Sequence, residues 1–134
     1  MRYRQSSTKW CHVTLCTYRR RKIFKIAATA RFCERLVRHV CDERGWHAAA
    51  VAVRPDAVQV LLRVPRATAR DAVVRQLKRA AAAAVREGLV CATGRRVFET
   101  GHWFAVLPSA AGVEAVRARL ERQGRDGPAA TPGQ

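Results

Sequence analysis

Residues 54–64, Arg54-Pro55-Asp56-Ala57-Val58-Gln59-Val60-Leu61-Leu62-Arg63-Val64, constrain the fold more than any other stretch of the chain. Pro55-Asp56 is a turn signal: proline pre-sets φ, and aspartate bonds back to nearby backbone. After it, Val58, Val60, Leu62 and Val64 alternate with Ala57, Gln59, Leu61 and Arg63, the period of a half-buried strand. Trp46 to Val53 reads as a second strand, weakened by its alanines, and so short a connection makes the two antiparallel neighbours. Side chains two apart on a strand share a face, so positions 57 and 59 project side by side. Two donor side chains there would make a two-point metal site. Ala57 has no donor atom and the amide oxygen of Gln59 is a weak ligand, so no metal or other cofactor is expected.

Around this hairpin the pattern alternates between strand and helix. Trp10 to Tyr18 alternates, with many β-branched and aromatic residues, and predicts a strand. A basic connection follows, Arg19-Arg20-Arg21-Lys22. Thr29 is the expected cap of a helix to about Arg44, with Cys33, Leu36, Val37, Val40 and Cys41 on its inner side and Gly45 as its stop. Pro65 ends the strand at 57–64, and Thr68 with Asp71 is a helix start of the capping-box kind. Val73, Leu77, Ala81 and Ala84 or Val85 recur at helical spacing up to Gly88. Residues 89–96 predict a loop carrying Arg95-Arg96, and Val97 to Leu107 a strand with Phe98, Trp103, Phe104 and Val106. Pro108-Ser109 opens a last helix with Val113, Val116 and Leu120 inward and Arg117, Arg119 and Arg122 largely outward. Residues 1–9 are expected to fray, 10–123 to form one domain, and 124–134, rich in Gly, Pro, Ala and Thr, to be a disordered tail.

The order strand, helix, strand, strand, helix, strand, helix is α+β. It predicts a ferredoxin-like four-stranded antiparallel sheet with helices packed on one face, plus a C-terminal helix. The other face, or the edge strand after residue 97, then needs a partner, which a homodimer would supply.

Charge narrows the partner. The chain has 26 Lys and Arg against 10 Asp and Glu, a net charge of +16 over 134 residues. Such an excess favours polyanions, nucleic acid first. A membrane surface fits less well, because the basic residues are spread through folded elements and not massed on one amphipathic helix. The cysteines Cys11, Cys16, Cys33, Cys41 and Cys91 form no CxxC pair, and their odd number opposes a complete disulfide framework. Cys33 and Cys41 read as small buried hydrophobes in a reducing compartment. With no signal peptide or long apolar run, the chain is expected to be cytoplasmic.

Several stretches together resemble one family. They are Thr17-Tyr18-Arg19-Arg20-Arg21-Lys22, Glu43-Arg44-Gly45-Trp46, and Pro55-Asp56-Ala57-Val58-Gln59-Val60-Leu61-Leu62. Val74-Arg75-Gln76-Leu77-Lys78-Arg79 and Gly101-His102-Trp103-Phe104 complete the set. In order and spacing, over roughly residues 10–123, they resemble the small tyrosine transposases of bacterial insertion sequences, HUH nucleases that include the repeat-associated transposases. In that family the strand reads Pro-Asp/Asn-His-Val-His-Leu-Leu. The two histidines hold a divalent cation that draws charge from a phosphodiester, and a tyrosine on the last helix attacks it to form a covalent intermediate. The histidine positions map to Ala57 and Gln59. Leu120-Glu121-Arg122-Gln123 maps to the end of the last helix, which places the tyrosine position at Arg119 and matches Gln123 to a glutamine that assists metal binding in some relatives.

Both histidines and the nucleophile are therefore missing, and no catalytic residue is assigned; Tyr3 and Tyr18 are the only tyrosines, and neither lies on the last helix. The resemblance implies a transposase-like DNA-binding protein without strand-transfer chemistry, holding single-stranded or hairpin DNA as a dimer. Two alternatives stay open: residual phosphodiester chemistry using Gln59, Gln123, His102 or Tyr18, and an RNA-binding or assembly module. The candidate nucleic-acid contacts are Tyr18, Arg19, Arg20, Arg21 and Lys22 at the strand exit, Arg75, Lys78 and Arg79 on one helix, His102 and Trp103 as a base-stacking pair, and Arg119, a cation where the nucleophile would stand. His12, His39 and His47 read as ordinary packed or solvent-facing imidazoles.

Overall fold

The computed structural model describes residues 7–88 and 97–126. In chain order the elements are β1 (Thr8–Cys16), α1 (Ala27–Glu43), β2 (His47–Arg54), β3 (Ala57–Pro65), α2 (Arg70–Gly88), β4 (Trp103–Leu107) and α3 (Ala110–Asp126). The strands form one sheet in the order β2-β3-β1-β4, every neighbouring pair antiparallel. The expected α+β, four-stranded architecture is the observed one.

Alternation along the strands divides the buried residues between two faces. Cys11, Val13 and Leu15 of β1 join Val58, Val60, Leu62 and Val64 of β3 in the main core. Helices α1 and α2 close it with Cys33, Val37, Cys41, Val73, Leu77, Ala81 and Val85, and Phe24 and Phe98 stack at 6.3 Å within it. The opposite face carries a smaller cluster, where Val116 and Leu120 of α3 pack on Ala50, Ala52 and Leu61. Helices thus lie on both faces, two on one and α3 alone on the other. The second cluster holds few large side chains, and each fully buried Leu or Val contributes only about 1.5–3 kcal/mol. Polar contacts therefore matter more for seating α3 than for the other helices.

Several element boundaries differ from the sequence expectation. Thr8 and Lys9, placed in a fraying terminus, pair with Pro65 and Val64. Thr29 is buried inside α1, whose N-cap is Ile26, so its hydroxyl is not the helix start. α2 begins at Arg70 with the Ala69 carbonyl accepting from Ala72 and Val73, while the Thr68 carbonyl accepts from Lys9 Nζ at 2.9 Å. Ser109 does cap α3, its Oγ accepting from the Gly112 N–H at 3.0 Å. Of the stretch 97–107 only Trp103–Leu107 is strand. Phe98 forms a single bridge with Thr17, because Val97 and Phe98 are held in the core instead of along an edge. α3 continues past Gly124 to Asp126. Cys91, Arg95 and Arg96 lie outside the described residues. No helix among the described residues is long and apolar enough to cross a membrane.

Candidate nucleic-acid interface

Strand β3 presents Ala57, Gln59, Leu61 and Arg63 towards the face that α3 covers. Ala57 is buried. Gln59 stands opposite Thr14 of β1, one step diagonally from His12 on the same face. His12 Nε2 lies 3.1 Å from Gln59 Oε1, and Gln59 Nε2 donates to Gln123 Oε1 at 3.1 Å. An amide oxygen only accepts, so His12 Nε2 carries the proton. The result is a directional run of hydrogen bonds, His12 to Gln59 to Gln123, from β1 through β3 to α3. The Trp103 ring meets His12 edge-on, centroids 4.8 Å apart at 78°. Burial pushes the His12 imidazole below its ordinary range; the Gln59 bond opposes that shift, and the nearby positive charge of Arg119 reinforces it.

This arrangement decides what the position can hold. Its donor atoms are one imidazole and two neutral amides, already bonded to one another. Among the described residues no three His, Cys, Asp or Glu side chains converge. A divalent cation on this strand needs free donor side chains at both positions. Ala57 has none and the Gln59 amide is already engaged by His12 and Gln123, so this donor set does not fit one. Arg119 is exposed on α3, close enough for its charge to act on His12. Its guanidinium is a cation, not a nucleophile, and suits a phosphate.

His12 is the member that sequence reasoning missed. Its alternation with Trp10 and Thr14 is plain in the sequence, but its place beside Gln59 depends on the pairing of β1 with β3, which alternation alone does not reveal.

The basic connection closes against the same end of the sheet. Cys16 pairs with Ala57, Thr17 N donates to the Asp56 carbonyl at 3.0 Å, and Tyr18 N to the Val97 carbonyl at 2.9 Å. Thr17 Oγ1 lies 2.7 Å from the Arg21 carbonyl. Within this turn Arg19 and Arg20 both adopt φ of 55°, the left-handed region. The Arg19 and Arg21 guanidinium groups lie 5.2 and 6.0 Å from the Tyr18 ring, and Arg20 pairs with Asp56 at 3.0 Å. Lys22 is exposed.

The α2 residues divide. Arg75 and Arg79 are exposed on the helix, in the layer on the far side of the sheet from α3. Lys78 instead turns inward as a tie, its Nζ donating to the carbonyls of Glu99 at 2.8 Å and Thr100 at 3.1 Å. Glu99 in turn accepts from Arg19 N at 2.6 Å, so Lys78 supports the basic turn through this segment. His102 is exposed beside Trp103, which is 51% exposed although it opens a strand. The structure thus gathers Gln59, Arg119, Gln123 and Trp103 around His12, sets residues 18–22 at the adjoining end, and leaves Arg75 and Arg79 apart.

Comparison with known proteins gives the same architecture. A putative transposase from Deinococcus radiodurans R1 superposes with a TM-score of 0.69 at 18% identity, over 92% of this chain and 98% of that one. A REP-associated tyrosine transposase bound to a REP hairpin superposes with a TM-score of 0.59 at 14% identity, over 90% of this chain and 68% of that one. No curated protein sequence matches the chain. Residues 5–123 match the family described as IS200-like transposases, nearly the whole folded region. The chain belongs to the IS200-like transposase family.

Proposed function

We propose that this chain is a DNA-binding member of its family that does not cleave, and that it holds single-stranded or hairpin DNA as a homodimer. One observation carries this reading: the His12–Gln59–Gln123 run fills the place where the family resemblance expects a ligated cation, and its polar atoms satisfy each other. Without a cation to draw charge from a phosphodiester, and with Arg119 in the nucleophile's position, the site offers attraction to phosphate but no route to strand transfer. The net charge of +16 supports a polyanion partner. The hairpin bound by the REP-associated relative supports DNA of that form. Trp103, exposed beside His102, offers an unpaired base a stacking surface. The dimer rests on β4, an edge strand on which Val106 is 47% exposed.

Gel-shift and nicking assays on a panel of DNA hairpins, with Mg²⁺ or Mn²⁺ and with matched RNA as competitor, test the reading. Salt-sensitive binding without cleavage is the expected result. Metal-dependent cleavage leaving a covalent protein–DNA adduct would overturn the loss of chemistry, and preference for RNA would overturn the partner. Sedimentation at several concentrations tests the dimer.

A further inference from the structure

At the end of β3 away from Ala57, three side chains lie in a row across three strands. Trp10 of β1 stands directly opposite Arg63 of β3, and Arg63 directly opposite His47 of β2. The row shares the face of His12 and Gln59, by strand alternation. The Arg63 guanidinium lies 5.5 Å from the centre of the Trp10 ring, and the His47 ring meets Trp10 edge-on at 6.0 Å and 77°. The Trp10 ring is fixed from below, packed against the cluster that seats α3. Arg63 and His47 are exposed.

A cation resting on an aromatic face is attracted through the flat of the guanidinium, while its N–H donors radiate in the plane. Trp10 therefore holds Arg63 in place without occupying those donors. Three arginines elsewhere are paired with carboxylates, Arg20 with Asp56, Arg38 with Glu34, and Arg117 with Glu114 and Glu121. Among the described residues no carboxylate pairs with Arg63. Arg66 and Arg70, both exposed, add positive charge just beyond the end of β3.

We propose that Arg63, positioned by Trp10, is a second phosphate-binding point for the nucleic acid, roughly 13 Å along β3 from Gln59. This rests on the DNA-binding reading above. It extends the contact from the basic turn, past His12 and Trp103, to the far end of the sheet.

Fluorescence anisotropy over a salt series, with a DNA hairpin carrying a single-stranded extension as the probe, tests it. Arg63→Ala is expected to weaken binding about tenfold and to lower the slope of log affinity against log salt by about 1. Arg35→Ala is the control: it removes the same charge from an arginine 5.6 Å from the Phe32 ring on α1, in the layer across the sheet, and should leave affinity and slope unchanged. Arg63→Lys keeps the charge and should keep the slope. If Arg63→Ala matches the unmodified chain, or Arg35→Ala is as damaging, the Arg63 contact is wrong while DNA binding stands. If the unmodified chain binds no hairpin at any salt concentration, the DNA-binding reading itself fails.

Discussion

Gln59 and Gln123 meet amide to amide at 3.1 Å, a side-chain bond that ties β3 to the C-terminal helix beside the apolar cluster under it. Gln59→Leu removes it together with the acceptor of His12, leaving a buried N–H without a partner. The loss is expected to be about 1–3 kcal/mol in urea denaturation. Hydrogen exchange should rise in α3 before the other helices, since α3 has the smaller apolar cluster. A change within a few tenths of a kcal/mol would show that the bond does not seat α3.

Protonating His12 should oppose folding. Its pKa in the folded chain is lowered by burial, so below the ordinary imidazole value of about 6.5 the unfolded chain binds more protons. This contribution to stability is complete above that value and is lost as the pH falls below it. Urea midpoints measured down a pH series should fall through this range, and His12→Gln should flatten that part of the profile. A parallel fall in both proteins would place the effect elsewhere.

The double substitution Ala57→His and Gln59→His tests whether the frame of the site survives. It puts two imidazoles on one face of β3, close to Gln123, and should create Mn²⁺ binding measurable by calorimetry where the unmodified chain shows none. Adding Arg119→Tyr to that background is expected to restore hairpin nicking. Mn²⁺ binding by the unmodified chain as tight as by the double variant would contradict the donor argument made for His12, Gln59 and Gln123.

Trp103 and Phe24 should separate binding from folding. Trp103 is 51% exposed and Phe24 is fully buried. Trp103→Ala is expected to change stability little and to weaken hairpin binding by about 1–3 kcal/mol, the range for one stacked base. Phe24→Ala should cost about 3–5 kcal/mol of stability through the cavity it leaves. An equally unstable Trp103 variant would make the ring part of the core.

Thiol reactivity offers a check on the core. Burial pushes the thiols of Cys33 and Cys41 up to about 12, so the reactive thiolate is scarce at neutral pH. Both should resist alkylation in the folded chain while partly exposed Cys16 is modified, as mass spectrometry of the labelled peptides would reveal. Rapid labelling of Cys33 would contradict the packing of α1.

The parts of this fold legible in the sequence are those set by short-range periodicity. Val58, Val60, Leu62 and Val64 announce β3, and Pro55-Asp56 its pairing with β2. Val116 and Leu120 announce the inner side of α3. What pattern did not give were relations between distant elements. His12 is an unremarkable strand residue until β1 lies against β3, and Lys78 is a surface lysine until residues 97–100 fold over it. Phe98 shows the converse: its apolar character predicts strand, and the core takes it from a loop.

The backbone at Arg19 and Arg20 has one more implication. A side chain in the left-handed region costs roughly 1–2 kcal/mol that glycine would largely avoid. Selection for thermal robustness alone would favour glycine or asparagine at this corner. The tense bend sets the Arg19 guanidinium beside Tyr18 and Arg20 against Asp56 at the end of β1, and a variant relaxed at that bend would be sturdier but hold its polyanion less firmly.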